Sequence, residues 1–230
     1  MVSRPRAAAH PIRLYSHRYR MGSQFPQMPV RRSDLSASAR IRNAALEGFA
    51  LRGVAATSIR DVATAAGVSP GLVQHHFGTK DGLRAAVNEY VIAVAVETFA
   101  DLVSEDSPEA WQTMGDTVTA WVKDNAIALR YLARGLSEGD PDATKIFESL
   151  LEIAQDRWLA PLAEAGALRP GVDRDWAAIH VFVFNLACVL FEPAISHHLP
   201  ESFFSPQQLQ RWNVATTELY RHALITEPPG

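Results

Sequence analysis

From Ser33 onward the apolar residues of this 230-residue chain recur three and four positions apart, and no stretch alternates with the period of two that marks a half-buried strand. The pattern is sharpest over residues 57–80. Ile59, Val62, Ala63 and Ala66 fall on one face of a short helix that a Thr57/Ser58 cap opens, with Asp61 placed to complete a capping box on Ser58. Gly67 ends that helix, because glycine enters the left-handed region without steric cost, and Val68 covers the resulting corner. A second short helix starts at once, with Ser69 as cap and Pro70 at the first helical position, and turns Val73 and Phe77 to the core. Gly71, Leu72, Gln74 and His75 are left facing outward. The segment reads as a helix-turn-helix whose second helix presents small, amide and imidazole groups of the kind a DNA major groove admits.

The device of a cap followed by proline recurs at Ser107-Pro108, Asp140-Pro141 and Ser205-Pro206, the last with Gln208 placed for another capping box. Gly139, Gly166, Arg169-Pro170-Gly171 and Pro193 close the segments between, so the expected fold is all-α. A fourth helix from a Thr79 cap to about Val103 carries Leu83, Val87, Tyr90, Val91, Val94 and Leu102 on one face, and at 1.5 Å per residue it spans roughly 36 Å, enough to join two halves rigidly. The 15 residues from Ala177 to Phe191 are apolar on every side apart from His180 and Asn185. They fall short of the ~18–20 that a membrane span needs, so protein must bury them. The last helix carries Leu209, Trp212, Thr216, Leu219 and Ala223 at alternating spacings of three and four, a stripe suited to helix-helix packing. Apolar stripes also mark the fifth helix (Trp111, Met114, Val118, Trp121, Val122, Asn125) and the seventh (Phe147, Leu151, Trp158). Cores and pockets both use such stripes and differ mainly in a few converging polar groups, for which Asn125, His180 and Asn185 are the candidates.

Charge changes the picture. The net charge of −3 conceals a division: residues 1–90 hold 13 Lys/Arg against 5 Asp/Glu, and residues 91–230 hold 9 against 20. Positive charge releases counterions from phosphate, so a nucleic-acid partner is expected for the N-terminal part alone. Seven of those arginines (Arg4, Arg6, Arg13, Arg18, Arg20, Arg31 and Arg32) lie in residues 1–32, which read either as an arm reaching a minor groove or as a solvated leader. Met21 and Met28 leave an internal translation start open, and no apolar run long enough for a signal peptide is present. The single cysteine, Cys188, permits no intramolecular disulfide and is consistent with a reducing cytoplasm.

The motif and its flanks, Ile41-Arg42-Asn43-Ala44-Ala45-Leu46-Glu47-Gly48-Phe49-Ala50-Leu51-Arg52-Gly53 before it and Phe77-Gly78-Thr79-Lys80-Asp81-Gly82-Leu83 after it, resemble the DNA-binding domain of the tetracycline-repressor-like (TetR/AcrR) regulators over residues 36–90. The resemblance implies a basic tail over 1–32, a helix-turn-helix domain over 33–83, and a helical effector-binding and dimerisation domain over 84–230. It also implies a homodimer that binds a palindromic double-stranded operator, is more often a repressor than an activator, and responds to a small effector. One residue departs from the pattern: Gln74 stands where most members carry a tyrosine that touches the DNA backbone.

Carried onto this chain, the DNA-facing set is Thr57, Ser58, Arg60, Ser69, Pro70, Gly71, Leu72, Gln74, His75, His76 and Lys80. By its place in the motif Arg60 resembles a residue aimed at a guanine edge, while His76 and Lys80 are expected at phosphates. The effector, expected to be hydrophobic or aromatic, would meet Trp121, Asn125, Phe147, Leu151, Trp158, His180 and Asn185. The dimer would form through Phe184, Cys188 and Phe191 with Leu209, Trp212, Thr216, Leu219 and Ala223.

Other chemistries find little support. The chain has no Gly-x-Ser-x-Gly, no P-loop and no dinucleotide fingerprint, so no catalytic residues and no cofactor are expected. His75-His76 and His197-His198 are adjacent pairs, which point about 100° apart on a helix and do not converge on one metal ion. Two competing readings are kept: an architectural DNA-binding dimer with a closed C-terminal core, which an open cavity lined by Trp121 and Trp158 would oppose, and an enzyme, which a cluster of shifted carboxylates or histidines would favour.

Overall fold

A computed structural model describes residues 36–99 and 108–226. The basic segment 1–32, the continuation of the fourth helix to Val103 and the Ser107 cap lie outside the described residues. Within them the backbone forms helices joined by short turns and no strand, with one isolated antiparallel bridge between Leu168 and Ile225. The all-α expectation holds.

Local side chains set the first boundaries. Helix α1 (Ala37–Arg52) opens where Ser36 Oγ accepts from the Ala39 amide at 3.2 Å. In α2 (Ile59–Ala66) the capping box is complete: the Asp61 amide donates to Ser58 Oγ at 3.2 Å, and the Ser58 amide donates to Asp61 Oδ2 at 2.8 Å. The Ser58 hydroxyl also donates to that carboxylate and holds its pKa below the usual range. Gly67, at φ 68° and ψ 40°, makes the expected left-handed exit. Ser69 caps α3 (Pro70–Phe77) by accepting from the Leu72 amide, and Thr79 opens α4 (Lys80–Phe99) by accepting from the Gly82 amide.

Beyond these come α5 (Pro108–Asp124), α6 (Ala126–Ser137) and α7 (Pro141–Ala154), which passes into a π-helical turn at Gln155–Leu159 and then α8 (Ala160–Glu164). Trp158 falls within this π turn, past the end of the regular helix that carries Phe147 and Leu151, so the three do not lie on one unbroken α-helix. Helices α9 (Arg174–Leu190), α10 (Glu192–His198) and α11 (Pro206–Leu224) complete the fold. Ser205 caps α11 at the Gln208 amide, but the Gln208 side chain donates to Glu201 instead of reaching back. The Ser205 amide is already satisfied by the Ser202 carbonyl, so a reciprocal bond has nothing to recover.

One hydrophobic core runs from the N-terminal helices into the C-terminal ones: Ile41, Phe49, Val73, Leu83 and Val87 belong to the same cluster as Leu132, Ile146 and Leu150. Helix α1 packs on α6 as well as on α2, and α4 packs on α7. The packing is therefore continuous across residue 83. At that junction the Phe49 and Tyr131 rings lie 6.3 Å apart, and the Tyr131 hydroxyl donates to Asn88 at 2.6 Å. Arg84 on α4 pairs with Asp140 and, at 3.5 Å, with Asp142 at the start of α7. This pairing raises the guanidinium pKa and lowers that of the Asp140 carboxyl. A smaller cluster around Trp111, Leu159, Leu162, Ala178 and Leu224 closes the far end.

Candidate nucleic-acid interface and effector cavity

The capped α2–α3 unit keeps most of the expected DNA-facing residues at its surface. Arg60, Ser69, Pro70, Gly71, Gln74, His75 and His76 are exposed, and Leu72 is half-buried beside them. The carboxylate of Asp61, the neighbour of Arg60, is engaged by the Ser58 amide and hydroxyl. The His75 and His76 rings meet edge to face at 5.5 Å. Two expected contacts are placed differently. Thr57 is buried, its hydroxyl donating to the Gly53 carbonyl at 2.9 Å, so its side chain belongs to the α1–α2 turn; Ser58 remains at the surface as the cap. Lys80 Nζ donates to the Ala55 carbonyl at 3.2 Å, which folds the lysine back onto the same turn.

Between α5, α9 and α11 lies a cavity of about 60 Å³, partly open to solvent, and beside it, against α4, α6, α7 and the π turn, a second of the same size. Met114, Val118, Trp158, Val181 and Asn185 line both, so the two are adjoining lobes with a common wall. Trp111 lies only in the first lobe and Trp121 only in the second. The first lobe is bounded by close packing of α5 on α11: at Gly115 a Cβ would overlap the side-chain oxygens of Asn213 and Thr217. Asn213 Nδ2 donates to Asp116 Oδ1 at 2.6 Å and fixes that crossing. Phe99, the last described residue of α4, lines the second lobe, its ring 5.3 Å from that of Trp121.

The effector residues expected from sequence divide accordingly. Trp121, Trp158 and Asn185 line the cavity. Asn125 does not, because its side chain donates to the Trp121 carbonyl as the chain turns into α6. Phe147 packs edge to face on Phe182, and Leu151 packs in the core. His180 is exposed and stacks on Trp176 at 5.4 Å. The polar inner face of α11 was missed, with Asn213, Thr216 and Thr217 among the lining residues; its signal was Gly115 in an otherwise bulky apolar stripe, which marks a close helix crossing.

The final-helix stripe also splits. Leu209 and Thr216 are buried and Trp212 half-buried within the same subunit, because α11 turns that face onto α5. Of the expected dimer residues Phe184, Phe191 and Leu219 stay uncovered, joined by Val183, Leu190 and Val214; the six are 43–58% exposed. The Phe184 and Tyr220 rings meet at 6.4 Å and join the two helices into one apolar face. Ala223 is exposed near its end, and Cys188 is half-buried, its thiol pKa raised by burial.

Comparison with known proteins agrees with this architecture. Residues 41–87 match the model for bacterial regulatory proteins of the tetR family, and residues 123–226 match that for tetracyclin repressor-like C-terminal domains. The HTH-type transcriptional regulatory protein RaaS of Mycobacterium tuberculosis is 33% identical over 144 residues, which are 63% of this chain and 65% of that protein. An HTH-type transcriptional repressor of the same species is 49% identical over 65 residues, 28% of this chain and 34% of its own length. The chain thus spans less than two thirds of either relative. A tetR-family regulatory protein from Rhodococcus RHA1 has the same fold, with a TM-score of 0.64 at 24% identity, over 84% of this chain and all of that one. With its helix-turn-helix and its C-terminal helices each matched, the chain belongs to the tetR family of bacterial regulatory proteins.

Proposed function

We propose that the protein is a homodimeric, sequence-specific DNA-binding repressor that acts in the cytoplasm and leaves a palindromic operator when a small hydrophobic or aromatic effector fills the cavity. The observation that carries this reading is the reach of α4. Its first residue, Lys80, follows the α3 recognition helix, and its last described residue, Phe99, lines the cavity. The 20 residues between span roughly 30 Å. A ligand that displaces Phe99 therefore moves a rod whose other end sets the position of α3. Dimers of this kind read half-sites about 34–36 Å apart, so a shift of a few ångströms prevents both recognition helices from docking together. The repressor sign follows the name of the 49% identical relative. The apolar face of α9 and α11 supports self-association, since exposed contiguous apolar surface marks an interface.

The cavity argues against an architectural dimer with a closed core. As for the enzyme reading, the two described carboxylates with shifted pKa, Asp61 and Asp140, serve a helix cap and an ion pair. The test uses an operator selected from random duplexes. Arg60→Ala is expected to lose roughly 1–3 kcal/mol on that operator and much less on random DNA. Equal losses for Arg60→Ala on both duplexes contradict its base-reading role.

A further inference from the structure

Asn185 sits in the wall common to both lobes and is 4% exposed. Its Nδ2 donates to the Val181 carbonyl at 2.6 Å. A carbonyl can only accept, so that bond fixes which way the amide points and leaves Oδ1 as the free end. Oδ1 is buried and has no partner. Buried acceptors are almost always satisfied, so one left open in a cavity wall is a vacancy for a donor. Neither lobe offers a buried charge: among the described residues lining them Arg157 is the one with a formal charge, and it is exposed. The indole N–H groups of Trp111, in one lobe, and Trp121, in the other, are buried and likewise without acceptors.

We infer that the cavity takes an uncharged apolar ligand bearing a hydroxyl, an alcohol or a phenol, which donates its hydrogen bond to Asn185 Oδ1 at the junction of the lobes. This inference rests on the reading of the cavity as the effector site. A carboxylate is disfavoured by the same geometry: at Asn185 it brings a lone pair to a lone pair, and the one cation among the described lining residues, Arg157, is exposed and borders the second lobe only. A hydrocarbon fills the lobes and leaves Oδ1 unpaired. The two tryptophans lie on either side of that junction and can receive acceptor groups at the ends of a longer ligand.

The experiment compares three probes of one shape, biphenyl, biphenyl-4-ol and biphenyl-4-carboxylate, by calorimetry at pH 7 on the full chain. Biphenyl-4-ol is expected to bind at least tenfold more tightly than biphenyl, with the carboxylate weakest. Asn185→Leu, which removes the acceptor at similar volume, is expected to bind biphenyl as before and to lose the preference for the phenol. The ordering in the unaltered protein stands as a test should that variant fail to fold. Biphenyl bound as tightly as the phenol, or the carboxylate bound most tightly, overturns the hydroxyl inference and leaves the effector site in place. Binding of none of the three overturns the effector site and this inference together.

Discussion

Helix α2 and the crossing of α5 and α11 are each fixed by a side-chain hydrogen bond, yet the partners lie at different distances along the chain. Ser58 caps α2 through Asp61, three residues away, while Asn213 fixes the α5–α11 crossing through Asp116, 97 residues away. The first kind of contact forms as soon as the local backbone turns, and it specifies geometry almost independently of the rest of the molecule. The second exists only when the tertiary fold has brought two helices together. The DNA-facing half is thus defined by its own side chains, and the cavity is defined by what those of other helices leave unfilled.

The sharpest way to break the comparison is to ask whether the locally encoded half stands alone. Phe49 is fully buried where α1 meets Tyr131 of α6, so Phe49→Ala is expected to destabilise the protein by about 3–5 kcal/mol. Because one core crosses the junction, circular dichroism and tryptophan fluorescence should lose their signals in one urea transition. Two transitions, with the tryptophan-rich half outlasting the helix-turn-helix, would show that the junction is only a contact between independent units.

The same contrast explains what was legible in the sequence. The Ser58/Asp61 box, the Gly67 exit and the Ser69-Pro70 start could be named because each rests on neighbours. The apolar stripe of the last helix was legible as a stripe but not as a direction: Leu209, Trp212 and Thr216 turn inward and Val214 and Leu219 outward, a choice made by α5. Asn125 and His180 looked like polar groups in an apolar setting. One bonds to its own preceding turn and the other faces outward, which only the three-dimensional arrangement decides. The π turn that contains Trp158 has no propensity signal, and it interrupts the regular helix on which the seventh-helix stripe was counted.

A smaller effect is expected at the ion pair between the halves. Asp140→Asn removes the charge that Arg84 faces, and because both side chains are about one fifth exposed the expected loss is about 1–2 kcal/mol at pH 7. The Asp140 carboxyl titrates below its ordinary range, so its contribution is fully present above the unfolded value near ~3.9 and disappears as the pH falls through the lower folded one. Urea midpoints of the two proteins should therefore differ by a constant amount between pH 8 and 5 and converge under more acid conditions. A difference that does not shrink on acidification places the effect in packing and not in charge.

The smallest change sharpens the local side of the comparison. Ser58→Ala removes one half of the capping box and is expected to cost about 1 kcal/mol. Amide exchange should accelerate at Asp61, the amide that loses its acceptor, while the amides of α9 and α11 keep their protection. Loss of protection throughout would mean that this boundary, too, depends on the whole fold.

The central claim is that occupation of the cavity and occupation of DNA oppose each other through α4. It is tested most directly by measuring operator affinity with the cavity empty and saturated by biphenyl-4-ol, and probe affinity with and without operator. Linkage requires the two effects to be equal, and the account predicts that each ligand weakens the other by the same factor of ten or more. A probe that binds between α5, α9 and α11 and leaves operator affinity unchanged would contradict it.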